Sequence, residues 1–465
     1  MKGRVAWGFA MAVMFITFIV SVLLALGLPP YGLTYMLGGW TAPIGIEYRI
    51  DALNSYLLPL ISGAACVMAP FALRSIEAEI PEHKQSLFYA VFLLMLAGLL
   101  GMSATNDIFN IYVFLEIASL ATYALIAMGQ NRKALTAAYE YLVQGTIGAT
   151  FFLIGIGFLY FATGTLNISN MATRLPQASH LRIVDAGIAF VLIGLALKIA
   201  YFPLQGWLVN GYTHAPSLIS AFLAATATKV SVYLLLRLQF TVFSGISDIF
   251  SIPLAFLLFA VAILGIVLGS IAALYQSDIK RLLAFSSIAN IGYLTLGIAL
   301  ATSLGLTASL THFYAHALSK AGLFLAVGCV FYAKGSVRIE DMAGLLKSMP
   351  FICICFIVCG LSLVGVPGTV GFISKWMLLQ ALLEAKQWGL LVLVLMSSIL
   401  SLIYIWKVAE TMYFGASSGK IRAVPASMQC SLALVTFLNI LFGFYSAPVL
   451  GSAARAAYSM FGVYP

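Results

Sequence analysis

The sequence predicts an all-α polytopic membrane protein with about 13 transmembrane helices, each cut from the roughly 20 apolar residues that cross a bilayer core. Three observations lead there. Hydrophobic residues fill 62% and charged residues only 8% of the 465 positions, with mean hydropathy +1.04. A soluble domain of that length could not cover its exterior with so few charges. Apolar runs of bilayer length recur from end to end, and the basic residues between them are shared unevenly between the two sides.

In order, the runs fall near 5–28, 52–72, 86–103, 107–128, 136–162, 184–210, 214–240, 252–275, 281–301, 308–332, 350–384, 388–414 and 429–448. The first, from Val5 to Leu28, is long for the apolar core of a signal peptide and lacks a small-residue cleavage site, so it reads as a span. Runs 184–210 and 350–384 are long and interrupted by Pro203 and Pro367. Two interrupted helices at corresponding places in two halves point to a transport site near the midplane.

With the N-terminus in the cytoplasm, the cytoplasmic ends receive Lys2, Arg4, Arg74, Lys84, Arg132, Lys133, Lys280, Arg281, Lys334, Arg338, Lys347, Lys420 and Arg422. The far side receives Arg49, Arg174, Arg182, Lys386 and Arg455. That asymmetry puts the N-terminus inside and, with an odd number of spans, the C-terminus outside. The net charge of +9 is thus scattered as orientation signals, which argues against a nucleic-acid partner. No loop is long enough for a soluble catalytic domain, and there is no G-x-x-x-x-G-K-[ST] loop for ATP. The six cysteines lie in apolar runs with no His or carboxylate beside them, so they read as packing residues. Residues 1–465 form a single membrane domain for which no cofactor and no metal are expected.

Charges inside the spans carry the functional reading. A charge at the bilayer centre costs at least about 2.5–3.5 kcal/mol, so each needs pairing, hydration or use. Arg237 and Glu410 lie toward span ends and are expected to snorkel to the interface. Asp107 and Glu140 lie near span edges, where capping or interfacial pairing suffices. Lys407 fits either role. Glu116, Lys198, Lys229 and Lys375 sit deeper. An isolated buried carboxylate keeps its proton and an isolated buried lysine loses one, whereas together both can be charged. A carboxylate–lysine pair that opens and closes is therefore a proton switch. Lys229 follows Lys198 across a short turn, so their helices are expected to be neighbours and the two ammonium groups close. His312, His316 and Lys320 recur at i, i+4 and i+8 and share one helix face. A proton relay, structural polar packing and a metal site all use that spacing; titrating imidazoles without nearby carboxylate or cysteine favour the relay. The break at Pro203 frees backbone groups that only protein or a water-filled cavity can satisfy, which suits a titrating Lys198 beside it.

The stretches YVFLEIASL (Glu116), LKIAYFPLQGWL (Lys198), HAPSLISAFLAATATK (Lys229), DIKRLLAFSSIANIGY, THFYAHALSKAGLF and GVPGTVGFISKW (Lys375) occur in one order along most of the chain. They resemble the antiporter-like proton-translocating membrane subunits shared by respiratory complex I, membrane-bound hydrogenases and Mrp-type cation/proton antiporters. YMLGGWTAPIGIEYRID, residues 35–51, most resembles the D-type member of the Mrp group. The resemblance implies two pseudo-symmetric five-helix bundles, each with a broken helix, at 86–240 and 252–414. It implies that Glu116 and Lys198 form the switch, that Lys229 is the next relay site, that His312 and His316 continue a central axis, and that Lys375 delivers protons to the exit side. The expected function is proton translocation in a multisubunit monovalent cation (sodium)/proton antiporter of the cell inner membrane. The alternatives are a proton-pumping subunit of a complex I-like NADH:quinone oxidoreductase or membrane-bound hydrogenase, and a module powering uptake of inorganic carbon. The implied partners are other membrane subunits, lipid, protons and a monovalent cation, with no catalytic site in the chain itself.

Overall fold

A backbone in hydrocarbon must satisfy its own hydrogen bonds, and runs of bilayer length do so as helices. The computed structural model describes residues 3–29, 31–244, 246, 248–250, 252–414 and 421–462; Lys2 and Lys420 lie outside them. Among the described residues, eleven helical segments are long and apolar enough to cross a membrane. Two more crossings are assembled from half-helices, which gives the thirteen spans that hydropathy predicts.

The chain crosses as α1 (Gly3–Leu26), turns through a hairpin of β1 (Leu33–Met36) and β2 (Glu47–Ile50), and returns as α2 (Ala52–Glu79). Then come α3 (Glu82–Ala104), α4 (Ile108–Ala127) and α5 (Arg132–Thr163). Short α6 (Ile168–Ala178) buries Ile168, Met171 and Leu175 along one face. The first broken span is α7 (Arg182–Ile199) with α8 (Gly206–His214), and the next is α9 (Ser217–Ala225) with α10 (Ala227–Arg237). A two-residue pairing of β3 (Asp248–Ile249) with β4 (Ile252–Pro253) leads to α11 (Leu254–Leu274), α12 (Ile279–Ala299) and α13 (Ser303–Lys334). Short α14 (Leu345–Ser348) precedes the second broken span, α15 (Pro350–Val364) and α16 (Val370–Glu384). The chain ends in α17 (Trp388–Phe414), α18 (Ala426–Phe444) and α19 (Ala447–Met460), which buries only Val449, Ala453, Ala456 and Ala457.

Helix starts follow local chemistry. Asp51, Asp107, Asn131, Asp278 and Thr302 cap α2, α4, α5, α12 and α13 with their side chains. The capping role expected of Asp107 is thus present, its carboxylate accepting from the Asn110 N–H at 2.7 Å.

Five spans close into each of two rings. α3 packs on α4, α4 on α5, α5 on α7, α7 on α10, and α10 on α3. In the second ring α11 packs on α12, α12 on α13, α13 on α15 and α16, both of these on α17, and α17 on α11. Each ring holds one span broken in mid-membrane by a proline-containing segment. α12 and α13 are buried almost throughout, whereas α1 and α17 expose most of their length. Contacts between ends define a common side. Arg4 pairs with Glu77 at 2.8 Å, Gln130 donates to the Ala78 carbonyl at 2.9 Å, and Arg281 reaches Asn210 at 3.4 Å. Arg49, Asp51, Arg237 and Arg455 gather at the opposite end around one cavity.

Candidate functional site

The site begins where α7 stops. Tyr201–Gln205, with Pro203, cannot continue a helix. Ala200 takes a left-handed conformation at φ 65 and its N–H closes back onto α7. Lys198 is therefore held on the last turn. Its Nζ donates to Ser119 Oγ on α4 at 2.8 Å and lies 3.9 Å from Glu116 Oε1. Ser119 is one turn beyond Glu116, so the serine and the carboxylate present themselves to the same ammonium. The Leu197 carbonyl, released by the break, accepts from Trp207 Nε1 of α8 at 2.8 Å. The Trp207 indole stacks on Tyr141 with ring centres 3.9 Å apart. Across the break, Tyr201 OH accepts from Thr295 of α12 at 2.8 Å. Glu116 lies at mid-span as expected, but its side chain keeps 24% exposure on the lateral face of the chain.

Lys229 is fully buried. Sequence reading leaves its span unbroken, but the helix is interrupted at Thr226 between α9 and α10. The interruption releases the Ala224 carbonyl, and Lys229 Nζ donates to it. Lys229 stands within electrostatic reach of His312, His316 and Lys320. Its expected neighbour Lys198 has Glu116 as its charged contact.

α13 presents His312, His316 and Lys320 on one buried face. His312 is fixed between Ser374 Oγ at 2.9 Å and Asn290 Oδ1 at 3.1 Å. The His316 ring lies parallel to it, centroids 6.0 Å apart and planes 1° apart. Neither His316 nitrogen has a hydrogen-bond partner among the described residues. Lys320 Nζ donates to the Leu283 carbonyl at 2.8 Å and to Ser286 Oγ. At the second break, Gly365 and Gly368 take φ of 94 and 87, which glycine adopts without strain. Lys375 on α16 donates to the freed Val364 carbonyl at 2.9 Å and to Ser398 Oγ at 3.0 Å, over the Tyr293 ring at 4.8 Å. Lys229 and Lys375 thus share one device: an ammonium docked on a carbonyl that a helix break has released.

Arg237 is a correction. It does not snorkel; it is 8% exposed and forms a two-pronged pair with Asp51 at 2.6 and 2.8 Å. Asp51 caps α2 at the end where α10 finishes, so a partner sits ready inside the protein. Burial raises the Asp51 pKa, but the Arg237 charge and hydrogen bonds outweigh it and hold the carboxyl below its ordinary value. Lys280, read as a loop charge, is also buried and donates to the Ala215 carbonyl at 3.0 Å. Next to it Glu79 accepts from the Ser217 N–H at 2.9 Å, capping α9 from another helix. Lys407 donates to the Leu274 and Gln276 carbonyls at 3.2 Å and so closes the end of α11. Glu140 accepts from Asn210 at 2.6 Å, a pairing near a span edge. Sequence reasoning missed Ser119, Trp207, Glu79 and the break at Thr226. Ser119 alone had a signal, its one-turn spacing from Glu116.

Residues 105–401 match the family described as NADH:quinone oxidoreductase/Mrp antiporter, TM. The N-type subunit of the NADH-quinone oxidoreductase of Desulforudis audaxviator is 38% identical over 91% of this chain and 87% of its own. The D-type subunit of the Na(+)/H(+) antiporter of Alkalihalophilus pseudofirmus is 28% identical over 98% and 91%. Among solved structures, a chain of the membrane-bound sulfane sulfur reductase, an archaeal respiratory membrane complex, superposes with TM-score 0.91 and 31% identity over 98% of this chain and 92% of that one. The expected likeness to the antiporter relative is present, but the relative with a quinone oxidoreductase name is more similar in sequence, so the comparisons do not favour the antiporter branch. The family match runs from the start of α4 into α17 and so takes in Glu116 and every buried lysine and histidine of the site. On that extent and those identities, the chain belongs to the NADH:quinone oxidoreductase/Mrp antiporter family of membrane subunits.

Proposed function

We propose that this chain moves protons across the cytoplasmic membrane along the buried axis from Glu116 and Lys198 through Lys229, Lys320, His316 and His312 to Lys375, as one subunit of a multisubunit complex. Stretches 86–240 and 252–414 act as its two antiporter-like halves. The observation that carries the reading is the Glu116–Lys198 contact at 3.9 Å, with Ser119 accepting the hydrogen bond of the same ammonium. A pair at that distance can close or open by a small side-chain movement, and the two arrangements favour different protonation of the partners. The lateral position of Glu116 lets a neighbouring subunit influence the pair. His316 supports the reading too. Buried ring nitrogens without a protein partner are costly, and internal water supplies both a partner and a proton path.

Exchange of a monovalent cation such as sodium for protons is supported by the Na(+)/H(+) antiporter relative and by residues 35–51. The second reading, proton pumping driven by electron transfer, is supported by the NADH-quinone oxidoreductase relative. Proteoliposomes containing the assembled complex distinguish them. A sodium gradient without electron donor builds a pH gradient under the first reading; under the second, a pH gradient appears only with donor. Lys229→Ala abolishes the pH gradient in either case, and a pH gradient persisting in that variant contradicts the axis.

A further inference from the structure

At the end opposite the basic loops lies a cavity of about 710 Å³, walled by the last turn of α1, the start of α2, the end of α10 and one face of α19. We propose that it is a binding site for one phospholipid, whose phosphate is held by Arg49 and Arg455 and whose acyl chains leave along α1. The inference does not depend on the transport reading.

The charges argue for an anion. Of the three arginines lining the cavity, Arg237 is neutralised by its two-pronged pair with Asp51. Arg49 donates through one terminal nitrogen to Ser169 at 3.0 Å, while its Nε is buried without a hydrogen-bond partner among the described residues. Glu47 lies on the same face of β2 as Arg49. Its Oε2 is already engaged by the amides of Asn106 at 2.8 Å and Asn167 at 3.0 Å. Arg455 has no ion-pair partner among the described residues. Ser452, Arg455 and Ser459 follow one another at about one helical turn, so α19 turns hydroxyls and a guanidinium toward the same space. Guanidinium forks match phosphate oxygens two at a time.

The remaining wall argues for a lipid over a free phosphate. Ala25, Leu26, Leu28, Phe240 and Met460 make part of the lining apolar. The 24 residues of α1 rise about 36 Å at 1.5 Å each, against a hydrocarbon core of about 30 Å. Its last turn therefore reaches headgroup depth. Tyr31, Tyr35 and Trp40, all exposed in the segment that follows α1, suit the same interfacial level. Leu23 and Leu26 face outward from that turn and offer acyl chains a surface. The volume lies within the range of pockets that enclose small ligands.

The test is native mass spectrometry of the full-length chain, in its complex, delipidated and then titrated with phosphatidylglycerol or with inorganic phosphate. The wild type is expected to retain one phosphatidylglycerol that millimolar phosphate does not displace. Arg49→Gln with Arg455→Gln lowers retention at least tenfold, and Arg49→Lys with Arg455→Lys falls between, because lysine keeps charge without the fork. Where the double glutamine variant fails to fold, Arg455→Gln alone changes an exposed side chain and lowers retention at least threefold. Unchanged retention in the glutamine variants overturns the proposal. Displacement of the lipid by inorganic phosphate also overturns it, and assigns the cavity to a free anion.

Discussion

Ser119 is the residue whose removal reports most cleanly on the proposed Glu116–Lys198 switch. Its hydroxyl accepts from Lys198 at 2.8 Å while Glu116 waits at 3.9 Å. Serine therefore competes with the carboxylate for one ammonium and keeps the ion pair open. In Ser119→Ala the ammonium loses that acceptor, and Glu116 is the group left to take it. At an effective dielectric constant of about 20, unit charges 3.9 Å apart attract by about 4 kcal/mol, and at a hydrogen-bonded 2.8 Å by about 6. Closing the pair deepens the well by roughly 1.5 kcal/mol, which is roughly tenfold in the rate of opening. Proton flux, read as dye quenching in everted membrane vesicles, is expected to fall about tenfold on that arithmetic while the chain stays assembled. Ser119→Thr, which returns the hydroxyl, restores it. Unchanged or faster flux in Ser119→Ala refutes the reasoning, because the serine would then not be holding the pair apart.

Other perturbations follow from the same contacts. Asp51→Asn leaves the buried Arg237 unpaired and lowers thermal stability by about 3 kcal/mol. Because the folded Asp51 pKa is depressed, the stability it adds is complete above about pH 4, the ordinary value of the unfolded side chain. It is lost as pH falls through the lower folded value, and a melting series on Asp51→Asn that keeps the wild-type acid dependence contradicts the assignment. Ala200→Gly relieves roughly 1 kcal/mol of left-handed strain, so thermal unfolding should leave its midpoint level or raised; a drop means the turn is not strained. Gly371→Ala places a methyl 1.8 Å from the Ser362 carbonyl oxygen, which drives α16 and Lys375 from α15. Flux should vanish there, and wild-type flux rules out the close packing. Lys407→Ala removes an exposed cap on α11 and should keep flux within about twofold, the scale of an exposed polar contact; a loss like that of Lys198→Ala places Lys407 on the axis.

Physical cost made part of this legible in sequence. Apolar length fixed the thirteen crossings, because hydrocarbon admits no other backbone solution here. Pro203 and Pro367 marked two breaks, because proline removes a donor wherever it stands. The deep lysines stood out because a charge in hydrocarbon is so unfavourable. What stayed hidden was pairing at a distance. Asp51 and Arg237 are 186 residues apart, and nothing local to Arg237 announces a partner, so snorkelling is what its place near a span end suggests. The break at Thr226 lies in LAATATKV with neither proline nor glycine. There Lys229 donates to the Ala224 carbonyl five residues before it, a side-chain contact that no breaker residue announces. Lys280 and Glu79 sit at helix ends, where sequence reads solvent and the fold supplies the turn from α8 into α9 instead. The lateral exposure of Glu116 is likewise set by which face of α4 the ring leaves open.

Glu116 and Lys198 are proposed to act together as a proton switch. Its most direct test is the pH gradient formed by everted vesicles carrying Glu116→Gln or Lys198→Ala in the assembled complex. Each variant is expected to assemble and to form no gradient. A wild-type gradient in both contradicts it.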